Sequence, residues 1–303
     1  MGESWIGVDI GATRTKLVHL ESAGEVLDRR DIASRYGSAD ELLAAVESTI
    51  QAWLRPAQGV GATALGVVVP GLVDRAAGRV LRAPNLDELD DCAIVTVLQR
   101  ATGLRVELDN DANAAGLAEA RMGAAVGCDS AVCLTVGTGV GGAIIKDGRL
   151  WRGHSGMAGE LGRLMLDAEA EQYLEEGVCA AAVEIAYRRR SGGAAEDIDA
   201  AAVFRLAEEG DVAAQQALAR CGERIGVGLA VLVNLFNPQR IVVGGGVAGA
   251  GEWLLGPARR EGRRRAWEPA WNRCEVVAAR LGAEAGAIGA ALLCDEEDAG
   301  AAN

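Results

Sequence analysis

The sequence predicts an α/β protein of two domains, each built from strands with helices packed on them. Three observations carry that reading. Apolar strand-like runs alternate with helical ones along the chain. A strand, a glycine turn and a second strand occur at 4–21 and again at 130–150. The 303 residues suffice for two cores of ordinary size.

Taken in order, SWIGVDI (4–10) is a short apolar strand, Gly11–Thr13 a turn, and KLVHLE (16–21) the return strand. Glu25–Asp31 completes a meander after the Ala-Gly turn at 23–24. Ser38–Leu54 has helical spacing, with Leu42, Leu43, Val46 and Ile50 on one face and Ser38 as cap. Ala64–Val69 is continuously apolar, as in a strand buried on both faces. Pro70-Gly71 ends it, a turn follows at Asp74–Gly78, Val80-Leu81 is strand-like, and APNL (83–86) is a loop. Residues 90–102 read as a helix.

The stretch LRVELDNDANAAGLAEARMG (104–123) organises the rest. Val106 and Leu108 alternate with Glu107 and Asp109, the period of a half-buried strand. The pattern breaks at Asn110, and Asp111 leads an Ala-rich helix. A carboxylate therefore stands where a strand ends and a helix begins, the place where open α/β sheets bind ligands. Asp111 and Asn113 could equally be helix caps.

Ser130–Val136 then repeats the opening strand, GTGVGG (137–142) the glycine turn and AIIKDGRL (143–150) the return strand. Residues 151–166 are glycine-punctuated and irregular, and Ala170–Arg190 and Ala200–Glu209 read as helices. Asp211 can cap a long helix reaching Phe236, stopped by Asn237-Pro238. Arg240–Val243 is a buried strand delivering GGGVAG (244–249). Ala285–Leu293 is a small-residue helix, and the acidic end beyond it a solvated tail. The expected domains are 1–120 with 285–303, and 121–284.

Composition narrows the class. Half the residues are hydrophobic, yet no run reaches the length of a membrane span. The start, MGESWIGVDIG, lacks the basic-then-apolar order of a signal peptide. Seven dispersed cysteines read as reduced thiols in a cytoplasmic protein. A net charge of −13 argues against a nucleic-acid partner. Arg259–Arg265 (RREGRRR) reads as a solvated helix face, and Arg188–Arg190 as a helix end whose cations complement the dipole.

Two stretches match G-x-G-x-x-G, at Gly137/Gly139/Gly142 and Gly244/Gly246/Gly249. The first leads into a strand where a dinucleotide fold requires a helix. About twenty residues after the second there is only RREGRRR, with no strand ending in an acid. A Walker pattern is absent.

Five motifs in order, DIGATRTK (9–16), VPGLVD (69–74), LDNDANAA (108–115), TVGTGVGG (135–142) and NPQRIVVGGGV (237–247), resemble the ROK family of sugar kinases. The resemblance runs from about residue 5 to LGAEAGAIGAALL (281–293). It implies two ribonuclease-H-like domains of the actin-like ATPase class with a cleft between them, holding ATP and a sugar. Asp111 would be the catalytic base, and Asp9 would hold Mg²⁺ through water. Gly11, Ala12, Thr13, Arg14 and Lys16 would meet the outer phosphates, as would Gly137, Thr138 and Gly139, while Gly244, Gly245 and Gly246 leave space for adenosine. Gly71, Asn85, Asn110, Asp111, Glu160, Arg163 and Glu175 would line the sugar site. The family also suggests a homodimer. Its repressors carry an additional N-terminal helix-turn-helix, for which a strand starting by Trp5 leaves no room.

The chain departs from the family pattern after GELG (159–162). The pattern continues with a histidine and a zinc-binding cysteine cluster, whereas here Arg163 follows and Leu164–Tyr173 is short and without cysteine. Cys179 alone cannot make a tetrahedral site. His19 and His154 do not replace the missing histidine by position, so zinc is expected to be absent. A permanently charged guanidinium in place of that histidine argues for an acceptor other than plain glucose, such as a modified hexose or a hydroxymethyl cyclitol. The family includes C7-cyclitol kinases.

Overall fold

The computed structural model describes residues 3–54, 61–167, 171–192 and 197–295. Chain contacts divide it into two units. Unit 1 holds residues up to Ala118, Arg152–Met157 and the chain from Glu284; unit 2 holds Glu119–Trp151 and Ala158–Ala283.

Unit 1 begins with the strands β1 (Ser4–Ile10), β2 (Arg14–Glu21) and β3 (Val26–Ala33), an antiparallel meander. Helix α1 (Ala39–Leu54), β4 (Ala64–Val69), the small hairpin β5 (Leu72–Asp74) and β6 (Arg79–Arg82), helix α2 (Ile94–Thr102), β7 (Arg105–Asn110) and α3 (Asp111–Met122) follow. The sheet order is β3-β2-β1-β4-β7, with β4 and β7 parallel to β1. Alternation in β1 and β4 sends Ile6, Val8, Ile10, Leu65, Val67 and Val69 into a core shared with Leu42, Val46 and Ile50 of α1 and Leu98 of α2. The expected helix over 90–102 is shorter, because Asp91 takes a left-handed conformation (φ 59°) and residues 87–89 form a separate 3₁₀ turn.

Unit 2 repeats the topology. Strands β8 (Ser130–Val136), β9 (Val140–Lys146) and β10 (Arg149–Leu150) form the meander. The return strand expected over 143–150 is thus two strands joined by Asp147-Gly148, both with positive φ, the hairpin turn that such a pair favours. A second hairpin, β11 (Met165–Asp167) and β12 (Gln172–Tyr173), precedes α4 (Leu174–Val178), α5 (Ala180–Arg190), α6 (Ala200–Glu208) and α7 (Val212–Phe236). Asp211 caps α7 through the Ala214 N–H at 2.8 Å, and Asn237 ends it at φ 44°. Strand β13 (Arg240–Gly244), α8 (Glu252–Arg265), the short α9 (Glu268–Trp271) and β14 (Glu275–Ala278) complete the unit. The order β10-β9-β8-β13-β14 reproduces that of unit 1 strand for strand, with β13 parallel to β8 and β14.

The single helix expected over Ala170–Arg190 is two helices, broken where Cys179 is extended (ψ 171°); Ala170 itself lies outside the described residues, as does the tail beyond Asp295. The arginine run lies on α8, where Glu252 and Glu261 pair with Arg259, Arg264 and Arg265. The bonds from Arg264 and Arg265 hold the Glu261 carboxyl down at about 2.

The last helix, α10 (Ala285–Leu292), belongs to unit 1. It lies on the sheet face opposite α1, where β1 and β4 present Gly7 and Gly66. A Cβ on Gly66 would meet the Ala290 carbonyl carbon at 2.5 Å, and one on Gly7 the Ala291 nitrogen at 2.6 Å. Backbone therefore packs on backbone, which only glycine permits. The second domain, expected as an unbroken 121–284, is interrupted by Arg152–Met157, which contacts unit 1; Arg152 reaches the Asp109 carboxylate there at 2.8 Å.

None of the seven cysteines forms a disulfide. Burial pushes the thiols of Cys133 and Cys294 up to about 12, so they stay protonated and inert. Among the described residues no helix is long and apolar enough to cross a membrane.

Candidate active site

In unit 1 the register Asp9↔Val68↔Asp109 runs straight across the three parallel strands. Directly paired residues share a face, so both carboxylates point to the side that α10 covers. Two strand spacings put their Cα atoms roughly 10 Å apart. Both stand at the C-terminal ends of parallel strands, where such sheets bind ligands.

Asp9 is half-buried, and burial raises its carboxyl to about 6 against the partial opposition of Lys16, its cross-strand neighbour on β2. Gly286 of α10 lies against it: a Cβ there would meet the Asp9 carboxyl carbon at 2.8 Å. The following turn is closed by the Gly11 N–H donating to the Arg14 carbonyl (3.1 Å), with the Ser34 N–H donating to the Thr13 carbonyl. Gly11 and Ala12 are half-buried and Thr13 exposed, so one side of the turn is open. Arg14 instead extends to Asp31 at 2.8 Å, an exposed ion pair.

Asn110 is the cap of α3. Its side-chain oxygen accepts from the N–H groups of Ala112 (2.8 Å) and Asn113 (3.4 Å), and its amide donates to the Gly71 carbonyl at 2.8 Å. Asn113 is not a cap; its amide donates to Asp109 at 2.9 Å. Asp111 is half-buried at the first turn of the helix, and its Oδ1 also accepts from Ala112 N–H. Gly71, at φ 98°, leaves room for Pro84, and Asn85 follows with φ 66°, exposed. Gly71, Asn85, Asn110 and Asp111 are thereby gathered at one end of one sheet.

In unit 2 the Gly137–Gly139 turn joins β8 to β9. It is held by the Gly137 N–H donating to the Gly139 carbonyl (2.9 Å) and by Ala180 N–H, from the first residue of α5, donating to the Gly137 carbonyl (2.8 Å). That bond fixes the break between α4 and α5. Glu175 of α4 accepts from Val140 N–H at 2.8 Å, so one of its oxygens supports the turn. Gly245, at φ 84°, packs on Val136 and brings the Gly244–Gly246 turn beside the first. Gly142, by contrast, is a strand glycine with Leu161 and the Gly159 carbonyl against it. At Gly137 and Gly246 a Cβ would meet nothing within 4 Å, and neither residue has a positive φ. Internal packing does not require glycine at either place, whereas a phosphate approaching the backbone would.

Glu160, Glu175 and Arg163 gather in the same unit. Burial first and the Glu175 charge second raise the Glu160 carboxyl, with Arg163 opposing. Arg163 is exposed, its guanidinium carbon 4.5 Å from the centre of the Tyr173 ring. His19 is a core residue, bonded to Ser4 at 2.9 Å and stacked on Trp53.

Three residues escaped the sequence reading. Asp109, 1% exposed, is the most enclosed carboxylate of the strand ends and binds Arg152 and Arg75. Glu119 accepts from the N–H groups of Ala124, Arg280 and Leu281 in unit 2. Gly286 abuts Asp9. A run of acids and amides, D-N-D-A-N, at a strand end was the one available signal for Asp109.

The ROK family model matches residues 5–297. A glucokinase of Thermotoga maritima is 30% identical over 97% of this chain and 98% of its own length. A ROK family glucokinase from Streptomyces griseus, solved with glucose and AMPPNP, is 31% identical, with a TM-score of 0.83 over 96% of this chain and 98% of that one. A xylose repressor of Caldicellulosiruptor bescii is 26% identical over 92% of this chain but 74% of its own length.

Proposed function

The chain belongs to the ROK family, and on that premise we propose that it is an ATP-dependent sugar kinase. In the finer reading it uses Mg²⁺ and transfers the γ-phosphoryl group to a primary hydroxyl of a hexose, a modified hexose or a hydroxymethyl cyclitol, acting as a cytoplasmic homodimer without zinc. The observation that carries the reading is the delivery of Asp9 and Asp111 at the same end of one sheet.

Asp111 accepts the proton of the acceptor hydroxyl as its oxygen attacks phosphorus. No perturbed pKa is needed, since transfer through a loose transition state depends on alignment and charge neutralisation. Gly71, Asn85 and Asn110 of unit 1 are the groups assigned to the acceptor in this reading, and Glu160, Arg163 and Glu175 of unit 2 are the further polar groups assigned to it. Asn110 has one amide hydrogen left for a sugar, because the other is donated to the Gly71 carbonyl and its oxygen is used in capping. Gly11, Ala12, Thr13 and Lys16, with Gly137, Thr138 and Gly139, offer backbone N–H groups and charge to the phosphates; Gly244–Gly246 border the nucleoside. Arg14, engaged with Asp31, has the weakest claim of the set. Asp9 fits Mg²⁺: it is a hard oxygen donor whose buried charge a cation would stabilise, and a hydrated Mg²⁺ needs only one or two carboxylates. Bound Mg²⁺ supplies neutralisation of the phosphate charge.

The test is ADP release on mixing with ATP, Mg²⁺ and a panel of hexoses, aminohexoses and hydroxymethyl cyclitols. At least one acceptor should be turned over, and Asp111→Asn should lower that rate by about 10²–10⁴-fold with nucleotide affinity unchanged. Full activity in Asp111→Asn would overturn the assignment of the base. Sugar binding without any turnover would make this a sensing protein of the same fold.

A further inference from the structure

We propose that Arg152 is a positioning residue for phosphoryl transfer, acting through Asp109 on the turn that presents Asp111. The proposal rests on the reading of Asp111 as base. Asp109 is enclosed and its two oxygens have separate duties. Oδ1 accepts from the Asn110 N–H (2.8 Å) and from the Asn113 amide (2.9 Å), one residue on each side of Asp111 in the cap of α3. Oδ2 accepts from Arg152 Nε at 2.8 Å, with Arg75 Nε at 3.5 Å. Arg75 is also bonded to the Leu108 carbonyl at 3.0 Å, which fixes the strand one residue earlier.

A carboxylate this enclosed would be expensive to leave unpaired, and a paired guanidinium sets its orientation as well as its charge. With Oδ2 pinned by Arg152, Oδ1 is aimed at the backbone N–H of Asn110 and the side chain of Asn113. The residues immediately before and two after Asp111 are then held to one acceptor. The direction of the Asp111 side chain follows from the backbone between them. Nothing in folding β7 requires this arrangement, because an apolar residue at 109 would cover the same face of the strand. Arg152 stands in the short segment Arg152–Met157, which contacts unit 1 although the sequence on both sides of it belongs to unit 2. That segment has no regular secondary structure, and the Arg152–Asp109 bond joins it to β7.

Steady-state kinetics with Mg²⁺-ATP and the accepted sugar test this in the whole protein. Arg152→Met should lower kcat by about 10- to 100-fold, the loss expected when a reacting group is misplaced by around 1 Å. KM for both substrates should stay within a few-fold, and the melting temperature should fall, because an enclosed carboxylate loses its nearest partner, while the protein stays folded at the assay temperature. Added guanidinium ion should restore part of kcat in Arg152→Ala. In the Asp111→Asn background the same change should cost nothing further. A wild-type kcat in Arg152→Met, or an equal further loss in the Asp111→Asn background, overturns the proposal while leaving Asp111 as base. An active Asp111→Asn overturns the base itself. Should Arg152→Met fail to fold, Asp109→Asn reads the same link from its other end, with lowered kcat expected and wild-type kcat overturning it.

Discussion

Asp9 carries an energetic signature that can be measured without any substrate. Its carboxyl sits at about 6 in the fold against 3.8 when freely solvated. Between those values the folded protein binds more protons than the unfolded one, so stability falls as pH rises through the window from about 4 to 6. The penalty is complete above it. In the metal-free protein, Asp9→Asn should therefore be more stable than wild type at pH 8, by up to roughly 3 kcal/mol at about 1.4 kcal/mol per tenfold change in proton affinity. The two should converge near pH 4. Equal denaturation midpoints at pH 8 would show that the charge is not desolvated. From its local pattern the same carboxylate was legible only as the polar end of an apolar strand, and its metal role came from the family resemblance. That Asp109 lies in register with it, on the same face, needed the pairing of three strands. Asp109 looked like one step of a half-buried alternation, and no local pattern connects it to Arg152. Glu175 was legible as an acid after the shortened loop, but its bond to the Val140 N–H was not.

At the scale of elements, the two kinds of glycine separate cleanly. Gly66 is held by packing, and a methyl group there would run into the Ala290 carbonyl. Gly66→Ala should destabilise unit 1 by about 1–3 kcal/mol or more, as overpacking does, read from denaturant unfolding. Gly137 has open space at its Cβ position, so Gly137→Ala should leave stability within about 0.5 kcal/mol. It should nevertheless weaken nucleotide binding about tenfold or more, roughly 1.4 kcal/mol. An unchanged nucleotide affinity would remove that turn from the phosphate site. Most elements were legible because period-2 and period-3.6 patterns are local. The breaks were not. Alanine-rich composition runs through Cys179, and what interrupts the helix is a hydrogen bond from Ala180 to Gly137, distant in sequence. The Asp147-Gly148 hairpin is, by contrast, written in its turn residues, although the strand expected over 143–150 runs through it.

For the whole molecule, metal removal is the informative perturbation. EDTA should abolish phosphoryl transfer and added Mg²⁺ alone should restore it, whereas a zinc-selective chelator should change neither the rate nor the melting temperature. A zinc requirement would show that the β11–β12 hairpin does not stand alone in place of a cysteine loop. The repeat of one topology in both units was foreshadowed by two strand–glycine-turn–strand stretches, and the remaining strands of each sheet extended it.

The placement of α10 has a further consequence, for synthesis on the ribosome. Strands β1 and β4 have the face that α10 covers open until residues 285–292 have emerged. Unit 2, whose last strand ends at Ala278, has all of its own strands translated earlier. The opening strands of unit 1 are thus made before unit 2 and covered after it. A nascent chain stalled before Glu284 should bury its middle while its beginning stays open to protease.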